Sequence, residues 1–84
     1  MYRYEIVADA LEQVDGLPAA ALTDYAELIA FLELTPWEGP PYRDDSPDSD
    51  MRRMVFGRGN EGLVVYVILD RDRRVVVVSV TWIG

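Results

Sequence analysis

Leu63-Val64-Val65-Tyr66-Val67-Ile68-Leu69, Asp70-Arg71-Asp72-Arg73, then Arg74-Val75-Val76-Val77-Val78-Ser79-Val80-Thr81-Trp82 is the stretch that decides the fold. Two runs rich in β-branched residues flank a four-residue polar turn, the pattern of a hairpin. Val64 to Leu69 and Val75 to Val78 have no polar side, so these strands sit centrally in a sheet and are largely covered on both faces. One cover is expected from helices. The other must come from a loop, a partner or a second copy.

Working outward, Met51 to Phe56 reads as a further strand, joined to the first run by Gly57-Arg58-Gly59-Asn60-Glu61-Gly62. Glycines there suit a wide turn that needs unusual backbone angles. They match neither the order of a dinucleotide fingerprint nor a lysine-bearing phosphate loop. Near the start, Tyr2, Tyr4 and Ile6 alternate with Arg3, Glu5 and Val7, a strand over 2–7. Asp9 is the expected N-cap of a short helix carrying Leu11 and Val14, and Gly16 its stop. Pro18 opens a second helix. There Leu22, Tyr25, Ile29 and Leu32 keep the helical repeat, and Leu28 and Phe31 widen the stripe. Thr35-Pro36 ends it, because the residue before proline avoids helical angles.

Residues 35–50 hold four of the five prolines and Asp44, Asp45, Asp48 and Asp50. A loop this long either carries function or stays mobile. Trp37 and Tyr42 are expected to pin its first half to the body. The fold class is α+β: one domain over 1–84, with two N-terminal helices on one face of a small, mostly antiparallel four-stranded sheet, in the order βααβββ.

Eighty-four residues suffice for one thin core. Half the chain is hydrophobic and 27% is charged, the composition of a folded protein. Cysteine is absent, which excludes disulfides, thiolate metal sites and a cysteine nucleophile. Histidine is absent too, which removes the usual zinc ligand and the usual general base. No cofactor is expected. No apolar run reaches membrane-span length and the N-terminus has no signal-like apolar core, so the expected location is the cytoplasm, away from membranes.

Charge is unevenly spread. Residues 1–50 hold two arginines against twelve acids, a net −10; residues 51–84 hold six arginines against three acids, a net +3. The total of −7 disfavours RNA or ribosome binding, which rests on many cationic contacts to phosphate.

In sequence order, Tyr2-Arg3-Tyr4-Glu5-Ile6, Ala10-Leu11-Glu12-Gln13-Val14 with Leu17-Pro18, Met51-Arg52-Arg53-Met54-Val55-Phe56-Gly57, Val64-Val65-Tyr66 and the final arginine-valine hairpin together resemble the RelE/ParE toxin superfamily. The resemblance covers nearly the whole chain outside the loop. It implies a bacterial type II toxin–antitoxin system, with a cognate antitoxin or other regulatory protein as partner. It also implies, for RelE-like members, metal-independent cleavage of messenger RNA, and for ParE-like members inhibition of DNA gyrase. Arg52 and Arg53 match the family's second-strand basic positions. Leu63 stands where an arginine often precedes the third-strand tyrosine, with Arg58 nearby to substitute. Ser79 stands at the last strand's arginine, and Trp82 at the terminal histidine or tyrosine.

Under that reading Arg53 and Arg58 hold phosphate and Trp82 stacks on a base. Alternation puts Arg52 and Arg53 on opposite faces, so only one of them can join Arg58. The competing reading pairs these arginines with the acidic loop, particularly Asp48 and Asp50. Trp82 continues the alternation of Val76, Val78 and Val80, which is equally the pattern of a core residue, and Tyr66 between Val64 and Ile68 reads as core. A calcium loop from Asp44 fails, since Ser49 and Val55 fall where glycine and glutamate are needed. The alternative function is a non-catalytic module that uses the uncovered sheet face to dimerise or to bind a regulator.

Overall fold

A computed structural model describes residues 1–84. The chain runs β1 (Arg3–Ile6), α1 (Ala8–Asp15), α2 (Ala19–Leu34), a 3-10 turn at Pro36–Glu38, β2 (Met51–Phe56), β3 (Gly62–Leu69), a second 3-10 turn at Asp70–Asp72, and β4 (Arg74–Trp82). The sheet order is β1-β4-β3-β2. β1 runs parallel to β4, and the other two pairings are antiparallel. The two-helix, four-strand α+β architecture is therefore as the sequence pattern implied.

Local chemistry sets the boundaries. α1 begins two residues earlier than expected: Val7 is its N-cap, with no side-chain cap bond, and Asp9 lies in the first turn. There its charge still favours the helix N-terminus. Pro18 is the N-cap of α2 rather than a residue inside it. The β3–β4 turn closes on Arg73 in the left-handed region, at φ 54°. Gly62 has no Cβ for a reason of packing: one would strike the Phe56 ring, which lies across it from the paired position on β2.

A register shift at Val65/Tyr66 places Val78 and Ser79 together opposite Val65, a β-bulge in β4. Register then defines two faces. Tyr4, Ile6, Val75, Val77, Val80, Trp82, Val64, Tyr66, Ile68, Arg52, Met54 and Phe56 point one way. Most of them join Ala10, Val14, Leu17, Ala21, Tyr25, Leu28, Ile29 and Leu32 of the helical layer in one core of sixteen buried residues and their packed neighbours. Leu22 and Phe31, expected in the stripe of α2, are 39% and 43% exposed. Tyr66 is fully buried, as its position between Val64 and Ile68 implied. Its hydroxyl donates to the Pro36 carbonyl at 2.7 Å. Burial pushes that hydroxyl's pKa up to about 12, against the opposing pull of the Arg52 charge and the Gly39 N–H. Burial also raises the Tyr25 hydroxyl, which shares a 2.9 Å hydrogen bond with Tyr4.

No helix is long and apolar enough to cross a membrane.

Candidate functional site

The long loop does not spread over the second sheet face. It folds around Arg52. The guanidinium donates to the carbonyls of Ser49 (2.8 Å), Gly39 (3.1 Å) and Pro47 (2.9 Å), and lies 4.9 Å from the Trp37 ring centroid. Arg52 is 8% exposed, the one buried charged side chain. Five N–H donors in a planar fork suit a set of converging carbonyls, and an indole face adds cation–π attraction. The loop also extends the sheet beyond β2, with Arg53 N–H donating to the Pro40 carbonyl and Tyr42 N–H to the Met51 carbonyl. Of the two aromatics expected to pin the loop, Trp37 does so through Arg52 and a 3.1 Å bond to Asp70. The Tyr42 ring stays exposed and only its backbone is engaged.

Neither Asp48 nor Asp50 receives Arg52 or Arg53 through its carboxylate. Arg52 takes backbone carbonyls instead, because a buried cation is satisfied best by several fixed acceptors. Arg53 does meet the acidic loop, but at Asp44, at 3.3 Å.

The outward face of the sheet consists of Met51, Arg53 and Val55 on β2, Leu63, Val65, Val67 and Leu69 on β3, Arg74, Val76 and Thr81 on β4 with Val78 and Ser79 at the bulge, and Arg3 and Glu5 on β1. Apart from Val65, each of these residues keeps part of its surface exposed, and Val55 is 50% exposed. This is a broad apolar strip, bordered by three arginines and one acid. Arg74 bonds Glu5 across β1 and β4 at 3.0 and 3.2 Å. The helical layer is of opposite character: residues 8–34 hold six acids and no cation.

The three residues read from sequence as a phosphate-and-base site do not share a surface. Arg53 lies on the outward face beside Asp44. Arg58 lies in the β2–β3 turn, in a shallow cleft of about 340 Å³ shared with Asp24 and Glu27 of α2. Trp82 lies on the helix-side face, its ring 5.8 Å from Phe56 and against Gly57, whose φ of +94° needs glycine. The parity of the strands put Arg52 with Met54 and Phe56, and so signalled its core-side position. Its carbonyl partners left no trace in the sequence.

At the end of the sheet where β3 turns into β4, Asp70 accepts from the Tyr2 hydroxyl and the Trp37 indole, and Arg73 donates to the Tyr2 hydroxyl at 3.0 Å. The Tyr2 bond first, and the Trp37 bond next, hold the Asp70 carboxyl below its usual pKa, with the Arg73 charge adding.

No protein-family model matches the chain, and neither does any curated protein. Among solved structures, the chain is similar to the isolated E. coli RelE toxin, with a TM-score of 0.82 at 16% identity over 100% of this chain and 86% of that one. It is similar to a chain of the intact E. coli RelBE toxin–antitoxin complex, with a TM-score of 0.77 at 17% identity over 100% and 99%. It is also similar to a chain of the archaeal RelE–RelB complex of Pyrococcus horikoshii, with a TM-score of 0.66 at 18% identity over 99% and 96%. The fold is that of RelE, and the resemblance read from the sequence holds at the level of fold.

Proposed function

We propose that this chain is a toxin-family protein of a type II toxin–antitoxin pair that acts mainly by binding a protein partner, an antitoxin, in the cytoplasm of a bacterium. The observation that carries this is a RelE fold over the full chain whose outward sheet face is apolar, arginine-bordered and without a covering layer. Two of the similar solved structures are complexes of RelE with RelB, the E. coli one a toxin–antitoxin complex. An apolar face of this kind on an 84-residue chain favours a protein occupant over a small ligand.

RNA cleavage stands second. It would call on Arg53 and Arg58 for phosphate and Trp82 for a base, and these occupy three separate places. The test is induced expression with and without the product of an adjacent small gene. Growth arrest relieved by a protein that co-purifies with the chain supports the toxin reading. Harmless expression together with no such co-purification overturns it. Arrest that vanishes in Arg53→Ala, with antitoxin binding retained, would raise RNA cleavage above simple binding.

A further inference from the structure

The edge of the sheet that no loop extends is β1. Arg3 N–H donates to the Arg73 carbonyl and Val7 N–H to the Val77 carbonyl, so the backbone groups of these residues face β4. Strand alternation turns the N–H and C=O of Tyr4 and Ile6 the other way, toward no strand. The Tyr2 N–H is already taken by the Glu33 carbonyl at 2.7 Å, which leaves its carbonyl. An edge with unpaired groups is a template for another strand.

The chemistry of the edge selects what can pair with it. Arg3 and Glu5 flank Tyr4 on the outward face, and the Arg3 side chain is 74% exposed. We infer that β1 pairs antiparallel with β1 of a second copy of this chain, centred on Tyr4, to form a symmetric dimer with one continuous sheet. In that register Tyr4 exchanges both backbone bonds with Tyr4 of the second copy. Ile6 N–H donates to the Tyr2 carbonyl opposite. Arg3 of each copy stands across from Glu5 of the other, an opposite-charge pair at directly facing positions. Shifting the centre to Glu5 would set two glutamates against each other, so charge fixes the register.

A second surface lies beside this edge. Leu22 and Ala26 are exposed at helical spacing on the side of α2 that leads to Glu33, whose carbonyl bonds the start of β1. Leu22 is 39% exposed there. Two-fold pairing of β1 brings these sides of α2 toward each other, adding apolar burial to the backbone bonds. Such an interface is isologous and closes on itself. The inference does not depend on the toxin reading: the dimer would form whether or not an antitoxin exists.

The experiment is sedimentation or light-scattering mass of the purified chain across micromolar to millimolar concentration. The wild type is expected to move from 9.5 kDa toward twice that value. Arg3→Glu alone and Glu5→Arg alone are each expected to weaken self-association at least tenfold, because each sets like charges across the pairing. An equimolar mixture of the two variants restores opposite charges at both positions and is expected to recover the dimer. A wild type that stays monomeric throughout overturns the proposal. So does an Arg3→Glu chain that dimerises as well as the wild type, or a mixture no tighter than either variant alone. Near-ultraviolet circular dichroism of each variant confirms that the fold is kept.

Discussion

Arg52 sits 4.9 Å from the centroid of the Trp37 ring, with its guanidinium spent on three loop carbonyls. A residue that reads in sequence as part of a basic surface pair is instead the organising centre of the loop. Replacing it with methionine strands those carbonyls and removes the support under Trp37. The expected cost is about 2–4 kcal/mol, from buried acceptors left unpaired. Arg52→Lys is expected to recover only part of it, because a single ammonium cannot reach three separate acceptors in one plane. Urea denaturation of the three proteins checks this, and limited proteolysis should show cleavage between residues 39 and 50 appearing in Arg52→Met.

Tyr66 links that loop to the middle of the sheet. Tyr66→Phe leaves the Pro36 carbonyl without its buried donor and is expected to cost about 1–2 kcal/mol near neutral pH. The pH dependence has a definite sign. The folded state holds this hydroxyl at about 12, above the ordinary value of 10.0, so it binds its proton more tightly than the unfolded chain does. Its contribution is full below pH 10 and is lost as pH rises from there through about 12. Tyr25 is shifted in the same direction. Unfolding free energies measured between pH 9 and 12 should fall steeply in the wild type and less steeply in Tyr66→Phe.

Asp70 behaves oppositely. Its folded-state pKa is depressed, so its contribution is present above the unfolded carboxylate value and disappears as pH falls through the folded one. Tyr2→Phe removes the larger of the two hydrogen bonds responsible. Acid titrations of stability followed by circular dichroism should show a shallower acid limb in Tyr2→Phe and in Asp70→Asn than in the wild type.

The outward sheet face separates binding from stability. Val55 is half exposed on it, and Arg53 meets only a side chain that is itself 92% exposed. Val55→Asp and Arg53→Ala are each expected to change stability by less than about 1 kcal/mol, as surface substitutions do. Val55→Asp is expected to weaken a bound antitoxin by about tenfold or more, by burying a charge in an apolar contact. Calorimetric titration against the co-purified partner checks both. Equal affinity in Val55→Asp would move the docking site off this face.

Much of the architecture was legible because the chain punctuates itself strongly. The valine runs stop at Gly62 and at the Asp70–Arg73 turn, and α2 stops before Pro36, so β2, β4 and the end of α2 fall where the pattern puts them. The start of α1 did not, because Val7 caps it without a side-chain bond and so leaves no polar signal at the boundary. The candidate site was less legible for two physical reasons. Backbone carbonyls, the partners of Arg52, look alike in every sequence. And whether Arg53 and Trp82 share a face depends on strand register and on the bulge at Val78 and Ser79, which only the paired sheet defines.

The separation of charge between the layers, with six acids and no cation over residues 8–34 and three arginines against one acid around the opposite sheet face, gives the molecule a polarity running through its thickness. A charged visitor therefore feels a torque before it feels a contact. An anionic protein is turned toward the strands and repelled by the helices while still about a Debye length away, roughly 8 Å at physiological salt. Because the chain as a whole carries −7, encounter rates with such a protein should rise with ionic strength, even where the final complex is held by valine and leucine.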